Sequence, residues 1–316
     1  MDEVSEIPSA FKSIKNNLIE EFPKEKIEGL NTKRVEDFIQ AEGLEVKPYI
    51  IFDRKDLRKI NKIVGNTGLL RSTFDNGESG LYSPETDLVL IARDRKYEES
   101  SGAVYTEGLL VHELTHASSM YQGHVAADYN KFYTPRVGFC LPQNKTPWGW
   151  LLEEGWADIH RANYFAKNAS DTEKAKLEKT LRFGSLEMTD TVPITTPAGE
   201  TLPLPIKYFY ITPEGNVTTK SSAFAAYALE LLFEQEPALK SLLTKGRNSV
   251  EGLRNIAQAF EKIMPGLYKS LQTADYTEAS FSEKLSTVIT DVVGDVNKAV
   301  KAKGELRNKW DNLLSE

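Results

Sequence analysis

His112 and His116 stand four residues apart in the segment YTEGLLVHELTHASS, residues 105–119, with Glu113 directly after the first histidine. Leu110, Val111, Leu114 and Ala117 recur around them at helical spacing. Side chains at i and i+4 share one helix face, with Cβ atoms about 5–6 Å apart, so both imidazoles can reach a single ion. Glu113 lies about 100° further around the helix, beside such an ion rather than on it, where it can take a proton from a bound water. The spacing therefore predicts a helix that buries one face in a core and keeps another for a metal.

The rest of the composition narrows the classes that can carry this helix. The chain has 316 residues, enough for one large domain or two ordinary ones. Its 40% hydrophobic and 27% charged residues exclude a collagen, a disordered chain and a coiled-coil rod. A net charge of −7, with no basic run, argues against a nucleic-acid partner. Cys140 is the only cysteine, so an internal disulfide and a cysteine-based zinc knuckle are both excluded. The N-terminus, MDEVSEIPSAFKSIKNNLIEEF, lacks the apolar stretch of a leader, and no apolar run is long enough to span a bilayer. A cytoplasmic chain with no membrane partner is expected.

Along the chain, residues 1–45 read as an N-terminal helical segment and 46–52 as a strand, followed by a helix to about residue 64. Residues 69–92 suggest a short antiparallel sheet whose last strand is 87–92. After the metal helix, residues 121–150 are rich in Pro, Gly and aromatics and read as a long surface loop. A second helix, residues 151–167, has an apolar stripe of Leu152, Trp156 and Ile159. Short strands are expected across 190–217, then mostly helix, with a charged amphipathic stretch at 284–316. The order is that of an α+β fold, divided as 1–45, 46–150 and 151–316.

A catalytic zinc takes three protein ligands and leaves one position for water. Ser119 and Gln122 stand where a metzincin needs Gly and His, so that class is excluded. His124 reads as a loop residue, and His160 as a packing residue of the second helix. Asp128, Glu153 and Glu154 remain as third-ligand candidates. The segment LLEEGWAD, residues 151–158, resembles the gluzincins, the thermolysin-like and aminopeptidase-like zinc peptidases, in which a second helix supplies a glutamate within a pattern such as E-G-x-A. The resemblance assigns Glu154 as third ligand with His112 and His116, and Asp158 as the carboxylate behind the first histidine. On one helix face with Glu154, Asp158 can fix the tautomer of His112. Thirty-seven residues separate His116 from Glu154, about twice the familiar gluzincin spacing, and the 121–150 insertion accounts for it.

The resemblance also implies a zincin-like fold, a small mixed sheet with the active-site helix and then a mostly helical lobe. It implies Zn2+ as cofactor, a peptide or protein substrate, and hydrolysis by water activated by Glu113. It makes residues 87–92 the sheet edge that pairs with extended substrate. No histidine follows His160, and the resemblance to aminopeptidase-like members implies a tyrosine as oxyanion donor; Tyr210 and Tyr227 rank level, with Tyr208 beside them. Endopeptidase action is weakly preferred. The alternatives are a zincin-fold binding module with a structural metal, or a zinc hydrolase of non-peptide amides.

Overall fold

The computed structural model describes residues 9–24, 27–65, 79–95, 98–99, 102–125, 132–140, 149–173, 191–195, 201–211, 217–219, 222–263 and 265–273. Helices α1 (Ser9–Glu21) and α2 (Thr32–Ala41) lead into strand β1 (Tyr49–Asp53) and helix α3 (Leu57–Val64). Strands β2 (Gly80–Ser83) and β3 (Leu88–Arg93) complete a three-stranded sheet in the order β1-β3-β2. β3 runs parallel to β1 and antiparallel to β2, so the sheet is mixed as expected.

Alternation along the strands decides what each face buries. Tyr49, Ile51, Val89 and Ile91 face one core with α2 and helix α4 (Ala103–Ala117). Ile50, Phe52, Leu88, Leu90 and Ala92 face another with α1 and α3. Every residue of β3 is buried, which is why its sequence runs apolar from Leu88 to Ala92 rather than alternating, before the buried Arg93.

That burial corrects one expectation. The 87–92 segment is the central strand, and its backbone groups are taken on both sides. Among the described residues the strand pairing on one side only, next to α4, is β2. Strand order is a tertiary property, and a local pattern cannot report it.

A second correction concerns residues 121–150. β4 (Met120–Val125) and β5 (Phe132–Val137) form an antiparallel hairpin where a loop was expected. Its register slips between Met120 and Gln122 and again between Gln122 and His124. Gly123 and Pro135 sit in this irregular ladder, and such residues erase the strand signal while a bulge absorbs them. His124 is therefore on a strand, paired with Tyr133; Asp128 lies outside the described residues.

Helix α5 (Trp150–Asn168) packs on α4 and on α6 (Ser222–Gln235). Its stripe of Leu152, Trp156 and Ile159 enters the core of the helical lobe, with Trp156 fully buried, while Tyr164 and Ala169 join the sheet-side core. The hairpins β6 (Thr191–Thr195) with β7 (Thr201–Pro205), and β8 (Phe209–Ile211) with β9 (Val217–Thr219), supply the short strands expected there. Helices α7 (Ala238–Gly246), α8 (Val250–Ile263) and α9 (Leu267–Thr273) close the described chain; 284–316 lies outside it. The fold is mixed α+β, a small three-stranded sheet with a mostly helical remainder. No helix among the described residues is long and apolar enough to cross a membrane.

Candidate metal centre

α4 and α5 run in opposite directions side by side. His112 faces Asp158 and Glu154, and one turn later His116 faces Glu154 and Glu153. Nε2 of His112 and Nε2 of His116 are 3.1 Å apart. The two carboxylate oxygens of Glu154 lie 3.3 Å from them, Oε2 from His112 and Oε1 from His116. These three residues can together hold a metal ion, and all are largely buried.

The far side of each ring explains why the Nε2 atoms are bare acceptors. Nδ1 of His112 lies 3.1 Å from Oδ1 of Asp158, and Nδ1 of His116 lies 3.1 Å from Oε1 of Glu153. A carboxylate can only accept, so the hydrogen bond to Glu153 puts the proton of a neutral His116 on Nδ1 with its Nε2 lone pair pointing inward, and the nearby Asp158 favours the same tautomer of His112. Two lone pairs and two carboxylate oxygens then converge with no donor between them. That arrangement is repulsive unless a cation sits among them, and the donor set fits one. Burial opposes protonation of His116, but Glu154 and Glu153 outweigh it and hold the ring's pKa well above its ordinary value.

Each supporting carboxylate is itself held. Asp158 accepts from Ser222 Oγ and lies 3.2 Å from Arg161 Nη2. Glu153 accepts from Ser119 Oγ at 3.2 Å, from Arg247 Nη1 at 2.7 Å and from the Phe139 backbone N–H at 2.9 Å. Burial alone would push Glu153 up, yet Arg247, His116 and the Phe139 N–H bring its pKa down to about 2. Burial also raises Glu154 and is likewise overcome, by His116 and His112, which leaves it well below the usual carboxylate range. With neutral histidines, the carboxylates of Asp158, Glu153 and Glu154 outnumber the guanidiniums of Arg161 and Arg247, and Glu113 adds a further carboxylate nearby in sequence, a balance suited to a divalent cation.

Glu113 sits on the same turn as His112, against Gly80 of β2. A Cβ on residue 80 would stand 2.6 Å from Glu113 Oε1, so the close approach of strand to carboxylate depends on glycine there.

The structure thus gathers His112, His116, Glu154 and Asp158, while the Glu113 side chain lies against Gly80. Glu153, weighed above as a rival ligand, stands behind His116 instead. Tyr227 is buried in the helical lobe, where burial and the charges of Glu234 and Glu230 push it up to about 12, and none of its described partners belongs to the cluster. The Tyr210 side chain lies outside the described ones. Tyr208, also buried, feels the charge of Asp158. Arg247 and Ser119 were missed by sequence reasoning, and neither carries a local signal. Compared with protein-family models, curated proteins and solved structures, the chain matches none.

Proposed function

We propose that this chain is a zincin-like zinc metallopeptidase of the gluzincin type, with His112, His116 and Glu154 as metal ligands. The observation that carries the reading is the convergence of three donors, His112, His116 and Glu154, around one point beside the helix that also carries Glu113. Zinc bonds of about 2.0–2.1 Å in a tetrahedral site put neighbouring ligand atoms about 3.3 Å apart. The separations among His112 Nε2, His116 Nε2 and the Glu154 oxygens are 3.1 and 3.3 Å.

A zinc ion bound there supplies a Lewis acid for a carbonyl and makes a water acidic near neutral pH. The chain's residues do the rest. Glu113 accepts the proton of the attacking water on its carboxylate and returns it to the leaving amine. Asp158 and Glu153 keep both imidazoles in the tautomer that exposes Nε2. β2, beside Glu113 and pairing on one side only among the described residues, would offer its outer edge to an extended peptide, which favours a peptide over a small amide as substrate. A tyrosine, Tyr210 or Tyr227, donates to the developing oxyanion.

Zinc content and peptide-library hydrolysis test the reading together. The wild-type chain should bind one zinc and cut peptides; Glu154→Ala should lose both. Of Tyr210→Phe and Tyr227→Phe, the donor's variant should keep zinc and lose rate. A Glu154→Ala protein with full zinc affinity would overturn the ligand set, and zinc binding with no hydrolysis would leave a structural metal.

A further inference from the structure

Arg247 follows α7, in the turn before α8, yet its guanidinium is buried at the end of α4, more than a hundred residues away in sequence. Nη1 donates to Glu153 Oε1 at 2.7 Å, and Nη2 reaches the Thr115 carbonyl at 3.3 Å. Thr115 O is among the last carbonyls of α4, which have no partner inside the helix and carry its negative end. Ser118 Oγ takes the same oxygen at 2.8 Å. The rings of Phe139 and Trp156 lie 5.8 and 5.4 Å from the guanidinium carbon, so the group is fixed in direction as well as charge. One planar cation therefore grips both the backbone just before His116 and the carboxylate behind its ring.

We infer that Arg247 is a positioning residue of the metal centre: it locks Glu153 against Nδ1 of His116 and so aims Nε2 at the point shared with His112 and Glu154. The inference rests on the zinc-site reading above and adds to it that the α7–α8 turn completes the site. Gly138 agrees with this. Its φ of +56° and its approach to Glu153, where a Cβ would lie 1.9 Å from Oε2, shape the backbone around that carboxylate.

The sign of the effect separates positioning from bystander charge. Deleting a guanidinium that acted only through its charge makes the centre more negative and tightens binding of a divalent cation. Deleting one that orients His116 weakens it. Zn2+ affinity, measured by competition with a chromophoric chelator, and the visible spectrum of the Co2+-loaded protein read this without activity. Arg247→Gln should weaken Zn2+ about 10–100-fold and alter the Co2+ bands. Glu153→Gln should do the same, and Glu153→Gln/Arg247→Gln should be no worse than Glu153→Gln alone, since Arg247 acts through Glu153. The double variant leaves no lone buried charge, so it serves if Arg247→Gln fails to fold. Unchanged or tighter Zn2+ binding in Arg247→Gln, additive losses, or wild-type affinity in the double variant would overturn the inference. Failure of the wild-type chain to bind Zn2+ would instead overturn the zinc-site reading itself.

Discussion

At the scale of single residues, one hydrogen atom in place of a methyl group matters at Gly80, where an added Cβ would stand 2.6 Å from Glu113 Oε1. Its neighbour is the flexible end of Glu113, so alanine there displaces a carboxylate without breaking the sheet. Gly80→Ala should keep fold and zinc while slowing hydrolysis about a hundredfold, the usual cost of moving a catalytic group by about 1 Å. Circular dichroism, zinc content and kcat together check this; full activity would remove Glu113 from its assigned place. What the sequence disclosed at this scale was the local chemistry. His112, Glu113 and His116 announce themselves by spacing. Glu154 was separable from Glu153 only through a resemblance, because adjacent residues on a helix differ by about 100° and nothing local says which direction faces the ion. Packing distinguishes their surroundings: Glu154 faces both Nε2 atoms and Glu153 faces the far side of His116. Arg247 was illegible, because its partner Glu153 lies 94 residues away and no periodic pattern marks the turn that carries it.

At the scale of elements, α5 is the helix on which the most depends. One stripe enters the core through Trp156, another face presents Glu153, Glu154 and Asp158 to α4, and His160 is buried between them. The Trp156 ring stands edge-on to His160 at 4.6 Å, and Nδ1 of His160 is 3.6 Å from Glu42 Oε2. Burial, with the charges of Arg247 and Lys240, takes the pKa of His160 down to about 3, against the weaker pull of Glu153. A base whose pKa is lowered on folding binds its proton better when unfolded. It costs nothing above about pH 6.5 and drains stability as the pH falls from there toward about 3, by up to about 1.4 kcal/mol per pH unit. Urea midpoints should therefore fall through that window in the wild-type chain and fall less steeply in His160→Asn; equal slopes would contradict the assignment. The strongly periodic helices α4 and α5 were readable from sequence because packing reinforces their pattern. The β4–β5 hairpin was not, since Gly123 and Pro135 interrupt its alternation.

At the scale of the whole molecule, the metal centre ties together parts of the chain that do not adjoin in sequence. In the proposed site α4 gives two ligands and α5 the third, and Arg161, Ser222 and Arg247 brace the supporting carboxylates from α5, α6 and the α7–α8 turn. Such coupling is reciprocal: if docking of the α7–α8 turn favours the ion, the ion favours the docking. Hydrogen exchange across 238–263 should slow when Zn2+ is added to chelated protein, and exchange in α1, which packs on α3 and β1 at the sheet's other face, should change less. Uniform protection would show that the lobe and the metal are linked only through global stability. The coarse α+β layout was legible, because it follows from where apolar residues recur. The order β1-β3-β2 was not, and with it the choice of which strand beside the metal helix pairs on one side only among the described residues.

The most direct test of the account compares peptide hydrolysis by the wild-type chain and by Glu113→Gln at equal zinc loading. The substitution keeps the shape of the side chain and removes the carboxylate that takes the proton. Equal zinc in both proteins, with the rate lower by about 10²–10⁴-fold in Glu113→Gln, is the predicted result. Equal rates in the two proteins, or no hydrolysis by the zinc-loaded wild type, would contradict it.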